Sequence, residues 1–302
     1  MALTQQFYST DPKVLAGFFR VGDPETHEIE VYNRIFKAKD YRIYYGNGGI
    51  VKIAKTSNGN KLLSSEIQKF SALKDAANEV DKGMERSDDR IGYDLLFTDI
   101  VDSFTDYTYG RFKVNIHFIK GNYLSGLVPL TRMRYKWQID AQSSVWVLLK
   151  ILKFYELLEK YYTPLSADDA RYPAFNPDDI LLSPFNQRVI FYNFSEPEKE
   201  LSPSELIKEI ADFFADWADF DIALDMKEAD YFFHIEDLAE YGHETFAGAW
   251  QELDDLTKKL WGSEYHYFTF RKYRLFEGKR VPFGDWKEDG GLLREGGRED
   301  CF

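Results

Sequence analysis

Apolar and polar positions change their period along this chain, from the alternation of strands to the three-to-four spacing of helices. Residues 31–54 read as strand text: VYNRIFKAKDYRIYY, a break at Gly46-Asn47-Gly48-Gly49, then IVKIA. Glycine and asparagine accept positive φ cheaply, so these two segments are expected to form a hairpin. A second turn is expected at Ser57-Asn58-Gly59-Asn60, followed by a helix over residues 61–80 with an apolar stripe of Leu63, Ile67, Phe70 and Leu73. Glu66 borders that stripe, three after Leu63 and four before Phe70. It is either a carboxylate in need of a cationic partner or a solvated flank position. Residues 81–92 are polar and predict a loop. Residues 95–104 and 111–118 read as two further strands around a turn ending at Gly110, with residues 121–125 as a connector.

Downstream the texture becomes helical. Val145, Leu148, Leu149, Leu152, Tyr155 and Leu158 are apolar around most of a helical girth, with Lys150, Lys153, Glu156 and Lys160 as a narrow polar stripe. Ser202-Pro203-Ser204-Glu205 spells a capping box with proline at the first helical position. Its helix carries Leu206, Ile207, Ile210, Phe213, Phe214 and Trp217. A last helix is expected over residues 246–261, with Trp250, Leu253, Leu256 and Leu260 inward and Gly262 as its stop. From residue 277 periodicity is lost in a Gly-rich, charged tail. A strand-rich first part and a helix-rich second part predict an α+β fold.

Composition narrows the functions open to the chain. Its 302 residues are 44% hydrophobic, enough for a substantial core, and the longest apolar run, broken by Lys150, is too short for a bilayer span. A net charge of −13 argues against non-specific nucleic-acid or anionic-membrane binding. Two basic clusters run against that balance: Arg132, Arg134 and Lys136, and Arg271, Lys272, Arg274, Lys279 and Arg280 interleaved with Tyr267, Phe268, Phe270, Tyr273 and Phe276. Aromatics between cations stack on bases in some proteins; a domain edge with packed aromatics and solvated cations suits this acidic chain better. Cys301 is the only cysteine, so no intramolecular disulfide forms. The first residues lack a basic segment followed by an apolar one, and a cytoplasmic protein is expected.

The order of segments resembles the protein-kinase fold over residues 31–267. Val51-Lys52-Ile53-Ala54-Lys55 is similar to the lysine-bearing strand of that family, and the resemblance pairs Lys52 with Glu66. In Tyr172-Pro173-Ala174-Phe175-Asn176-Pro177-Asp178-Asp179, followed by Ile180-Leu181-Leu182, the register of the catalytic loop runs without gaps. Tyr172 falls at the His, Pro173 at the Arg, Ala174 at the catalytic Asp and Asp179 at the metal-binding Asn. The D-F-G triplet falls on Asn193-Phe194-Ser195. The resemblance thus implies a two-lobed kinase-like fold, with an antiparallel β-rich N-lobe over residues 33–121 and a helical C-lobe over 122–276. Residues 1–32 would be an N-terminal extension and 277–302 a C-terminal tail. It also implies ATP with Mg²⁺ as ligands. Lys52, Glu66, Gly46, Gly48 and Gly49 would be on the nucleotide side, and Asp179 and Asn193, one carboxylate and one amide, would be oxygen donors to the metal. Both are equally readable as ordinary loop and turn residues.

The departures point to a pseudokinase. Ala174 has no group that accepts a proton from a substrate hydroxyl. Gly46 to Gly49 is not G-x-G-x-x-G, no A-P-E is present, and only six residues separate Ser195 from Ser202, too few for a usual activation loop. The pattern is similar to small degenerate kinase-like proteins of bacteria and phages. It implies a protein-interaction or scaffolding module, nucleotide-sensing in one version. Two alternatives stay open: a nucleotide-dependent transferase of AMP or another group, with Asp178 as its spare carboxylate, and a purely structural module with a filled cleft. A protein partner is expected, through the tail with its apolar anchors Trp286, Leu292, Leu293 and Phe302, or that tail folds on its own body.

Other chemistries have little support. His27, His117, His234, His243 and His266 are far apart, with no metal-ligand spacing, and read as structural. The pairs Asp168-Asp169 and Asp254-Asp255 read as solvated charge.

Overall fold

The computed structural model describes residues 3–6, 28–36, 39–46, 49–83, 93–107, 111–119, 128–131, 141–161, 172–183, 188–193, 198–199, 201–217, 226–262, 273–276 and 279–282. The chain is α+β and divides into two compact units. Among the described residues the first draws on Met1–Ser125 and Ile190–Tyr192, the second on Gly126–Val189 and Asn193–Arg294.

The first unit is a six-stranded antiparallel sheet with one long helix. Its strands are β1 (Leu3–Gln6), β2 (Glu28–Phe36), β3 (Tyr41–Gly46), β4 (Gly49–Ala54), β5 (Asp99–Asp106) and β6 (Phe112–Phe118), in the order β1-β2-β3-β4-β6-β5. The expected hairpin about Gly46 to Gly49 is present as β3 and β4, with Gly46 opposite Gly49. The strand text before it is two strands rather than one, β2 and β3. The N-terminal stretch supplies β1, which pairs with β2 from Leu3↔Val31 to Gln6↔Glu28.

Helix α1 runs Ser57–Gly83, so the expected turn at Ser57 to Asn60 is its first turn instead. Thr56 overrides the local turn preference of Asn and Gly: its hydroxyl accepts from Gly59 N at 3.0 Å, as an N-cap does. Thr56 and Asn58 also bind the two Asp40 carboxylate oxygens, at 2.7 and 3.1 Å, and these hydrogen bonds hold Asp40 below its usual pKa. Gly59 is required by proximity, because a Cβ there would meet the Asp40 carbonyl oxygen at 2.1 Å. The helix consumes the first residues of the expected 81–92 loop. The strand expected from residue 95 starts at Asp99, after a 3-10 turn over Tyr93–Leu95.

Strand alternation gives the sheet two unlike faces. Val51, Ile53, Val114 and Ile116 form a buried apolar cluster with Val101, Phe104, Phe112 and Phe118 against it. The opposite side of the same strands carries Lys52, Asn115 and His117, all fully buried. Helix α1 contributes Leu63, Glu66, Phe70, Leu73 and Ala77 to the interior at helical spacing. Glu66 is therefore within the buried stripe, whereas Ile67 is only half-buried.

The second unit is mainly helical: α2 (Ala141–Tyr161), α3 (Pro203–Trp217), α4 (Met226–Tyr241) and α5 (Phe246–Trp261). Short strands β7 (Val128–Pro129) and β9 (Ile180–Ser183) pair antiparallel, as do β8 (Tyr172–Pro173) and β11 (Glu198–Lys199). The remaining strands are β10 (Arg188–Phe191) and the hairpin β12 (Tyr273–Phe276) with β13 (Lys279–Pro282), which reaches into the expected tail. The capping box forms at α3: Ser202 N donates to Glu205 Oε2 at 2.8 Å, and Glu205 N donates back to Ser202 Oγ at 3.3 Å. Helix α5 has the expected bounds, with Thr245 as N-cap and Gly262 at φ 91° as C-cap. Helix α4 has no counterpart in the pattern reading. The Lys150, Lys153 and Glu156 stripe of α2 is half-buried rather than solvated, and burial, with the neighbouring Lys153 charge, lowers the Lys150 ammonium to about 8. Asp254 is buried and paired with Lys258, so it is not solvated charge; its neighbour Asp255 is exposed.

Candidate functional site

Two clusters of polar side chains, one in each unit, hold Lys52 and Glu66, and Asp179 and Asn193.

In the first unit Lys52 projects from β4 onto the helix-covered face, and Glu66 projects from α1 to meet it. Burial of a lone ammonium or carboxylate is costly, and each removes that cost from the other. Glu66 Oε1 accepts from Lys52 Nζ, and the ammonium also donates to the Tyr192 carbonyl at 2.5 Å. The Phe70 and Tyr192 rings lie 5.8 and 5.7 Å from the same ammonium, within cation–π range. Lys52 has no exposed surface.

The second carboxylate oxygen is also occupied. Asn115 Nδ2 donates to Glu66 Oε2 at 3.0 Å and to the Leu63 carbonyl at 2.7 Å, while its own carbonyl accepts from Ser103 Oγ at 2.7 Å. His117 Nε2 lies 3.3 Å from the same Oε2, and its Nδ1 lies 2.8 Å from Thr98 Oγ1. A carboxylate only accepts, so Nε2 carries the ring proton and Nδ1 accepts from the threonine. Burial, with the nearby Lys52 charge, pushes His117 down to about 4 against the pull of Glu66, so the ring is neutral at pH 7. Burial opposes ionisation of Glu66, but Lys52 and His117 outweigh it and hold the carboxyl at about 2. The result is a closed network in which an ionised pair is braced by neutral donors. Sequence reasoning paired Lys52 with Glu66 and read His117 as structural, but joined neither His117 nor Asn115 to the pair. The signal for these two was the polar alternation Asn115, His117 inside an otherwise apolar strand.

In the second unit β8 leads into Ala174, which is buried. Asn176 Oδ1 accepts from Asp178 N at 3.0 Å and caps a 3-10 turn over Pro177–Asp179. That turn directs Asp179 inward, where Asn193 Nδ2 donates to its Oδ1 at 2.6 Å. Both residues are buried. The amide presents nitrogen, so the couple satisfies itself by a hydrogen bond; a shared cation would need the amide oxygen turned to the carboxylate instead. Among the described residues no group of three or more His, Cys, Asp or Glu is placed to hold a metal. Tyr155, whose hydroxyl donates to the Pro173 carbonyl at 3.3 Å, stacks on Phe246 and supports the loop from below. Burial raises its pKa, reinforced by the Asp179 and Glu209 charges.

Gly46 and Gly49 end and begin the β3–β4 hairpin; Gly48 lies outside the described residues, as do Phe194, Ser195, the 121–125 connector, Arg132, Arg134, Lys136, Asp168, Asp169, Arg271, Lys272 and the tail beyond Pro282. Among the described residues no helix is long and apolar enough to cross a membrane. In comparisons with known proteins, no family model and no curated protein matches the chain.

Proposed function

We propose that this chain is a degenerate, two-lobed protein-kinase-like protein that works as a binding or scaffolding module and transfers no phosphate to protein. The observation that carries the reading is the Lys52–Glu66 ion pair, formed between the strand and the helix on which the kinase resemblance requires it. A sheet-plus-helix first unit and a helical second unit support the same assignment. The residue in the position of the catalytic base is Ala174, and such a base is worth about 10²–10⁴-fold in rate.

Full burial of Lys52, with its ammonium held by Glu66 and the Tyr192 carbonyl, favours the version in which the pair is architectural over the nucleotide-sensing one. Partner binding through residues 277–302 belongs to the same proposal. Two assays separate the versions. Purified protein with γ-labelled and α-labelled ATP and Mg²⁺ is expected to transfer neither label. Transfer of γ-label abolished by Lys52→Ala would overturn the reading, and α-label transfer would establish the AMP-transferase alternative. A melting temperature unmoved by ATP and Mg²⁺ supports the scaffold; an upward shift lost in Asp179→Ala supports the sensor.

A further inference from the structure

Helix α4 is polarised in an unusual sense. Its inner face buries Tyr231, Phe232, Ile235 and Leu238, with the Tyr231 hydroxyl 2.9 Å from Ser144 Oγ. Its outer face is mixed: Met226 is 82% exposed, Phe233 62% and Tyr241 66%, with exposed Asp230 and Asp237 between them. At 100° per residue these three fall within an arc of about 80°, spaced about 10–12 Å along the axis. Single exposed apolar residues need no explanation, whereas three in line on one helix face, alternating with acids, form a patterned stripe.

The stripe carries mainly one sign of charge. Asp230 and Asp237 lie within the same arc and Glu240 beside it, all exposed, with Glu236 further out and Lys227 as the basic residue of this helix. Among the described residues Asp230, Glu236 and Asp237 make no ion pair. Such a surface discriminates among occupants. A second copy would set carboxylates against carboxylates, and an anionic lipid surface would be repelled. We infer that the outer face of α4 docks a basic amphipathic helix of a partner protein, whose apolar residues at i, i+7 and i+14 or i+15 meet Met226, Phe233 and Tyr241 while Lys or Arg residues between and beside them reach the acids. This gives the proposed binding role a surface and a partner chemistry, and it rests on that reading for its function though not for its geometry.

The test is selection of a displayed library of 16-residue peptides on the full chain, with Phe233→Ser as the counter-target. Enriched sequences are expected to be helical, basic and apolar at the stated spacing. Fluorescence anisotropy with a synthesised winner should show at least ten-fold weaker binding to Phe233→Ser. The double variant Asp230→Lys, Asp237→Lys should lose a similar factor and most of the salt dependence. Circular dichroism checks that the variants fold, and Met226→Ser replaces Phe233→Ser if it does not. No enrichment over the counter-target, an acidic or unpatterned consensus, or unchanged affinity of the variants overturns the inference. So does sedimentation showing a dimer that Phe233→Ser dissolves, since the occupant would then be a second copy. None of these outcomes alters the ATP-label results, so the two readings fail separately.

Discussion

Lys52 and Glu66, fourteen positions apart in the chain, meet as a fully enclosed ion pair between β4 and α1. Removing one partner leaves the other charged and buried, at a cost of about 3–5 kcal/mol. Lys52→Met and Glu66→Leu should each lose about that much in urea denaturation. The double variant, which leaves no stranded charge, should recover more than half of the summed loss. Equal losses in single and double variants would show that packing, not charge pairing, holds the site.

Acidification acts on the same network in two windows. His117 at about 4 lies below the ordinary imidazole value of 6.5, so the unfolded chain takes the proton first. Stability is therefore intact above pH 6.5 and declines as pH falls towards 4. Glu66 at about 2, against an ordinary 4.5, adds a second loss between pH 4.5 and 2. His234, which burial also lowers, contributes with the same sign. Urea titrations from pH 7.5 to 4 should show a shallower slope in His117→Gln than in the parent. Identical slopes would mean that His117 titrates alike in the folded and unfolded chain and that burial does not lower it.

The Asp179–Asn193 hydrogen bond involves a charged acceptor, and such bonds contribute about 1.5–3 kcal/mol. A double-mutant cycle of Asp179→Ala and Asn193→Ala should give a coupling energy of that order. Asn193→Asp, which sets two carboxylates side by side, should destabilise at pH 7 and recover as pH falls towards 4. A coupling near zero would make the contact incidental.

Two glycines should respond differently to the same methyl group. Gly59→Ala drives a Cβ into the Asp40 backbone and should cost about 1–3 kcal/mol through displacement of the α1 entry. Gly262→Ala meets open space and carries only the cost of its positive-φ backbone, about 1–3 kcal/mol. The distinguishing measurement is amide exchange: Gly59→Ala should expose the first turn of α1, while Gly262→Ala should fray only the end of α5.

What was legible in the sequence was local. Helix α5 was legible because its apolar stripe runs up to Gly262, which stops it. The Lys52–Glu66 pairing was legible through the kinase resemblance, since periodicity alone left Glu66 on the border of the helical stripe. Helix α4 was not, since Met226, Phe233 and Tyr241 put apolar residues on both of its faces and blur the period. Asp254 was misread because adjacency to Asp255 does not say which of two diverging side chains points in. The role of His117 depends on a carboxylate 51 positions away, a distance over which no pattern argument reaches.

Residues Ile190–Tyr192 belong to the first unit although the chain on either side of them belongs to the second. Phe191 makes a parallel bridge to Phe97, and Tyr192 provides the carbonyl that receives Lys52. During synthesis the sheet and helix α1 are therefore finished as polymer long before they are finished as structure. At about 5–20 residues per second, the wait from residue 125 to residue 192 is on the order of 10 s. For that interval a lysine that the finished unit buries lacks one of its acceptors.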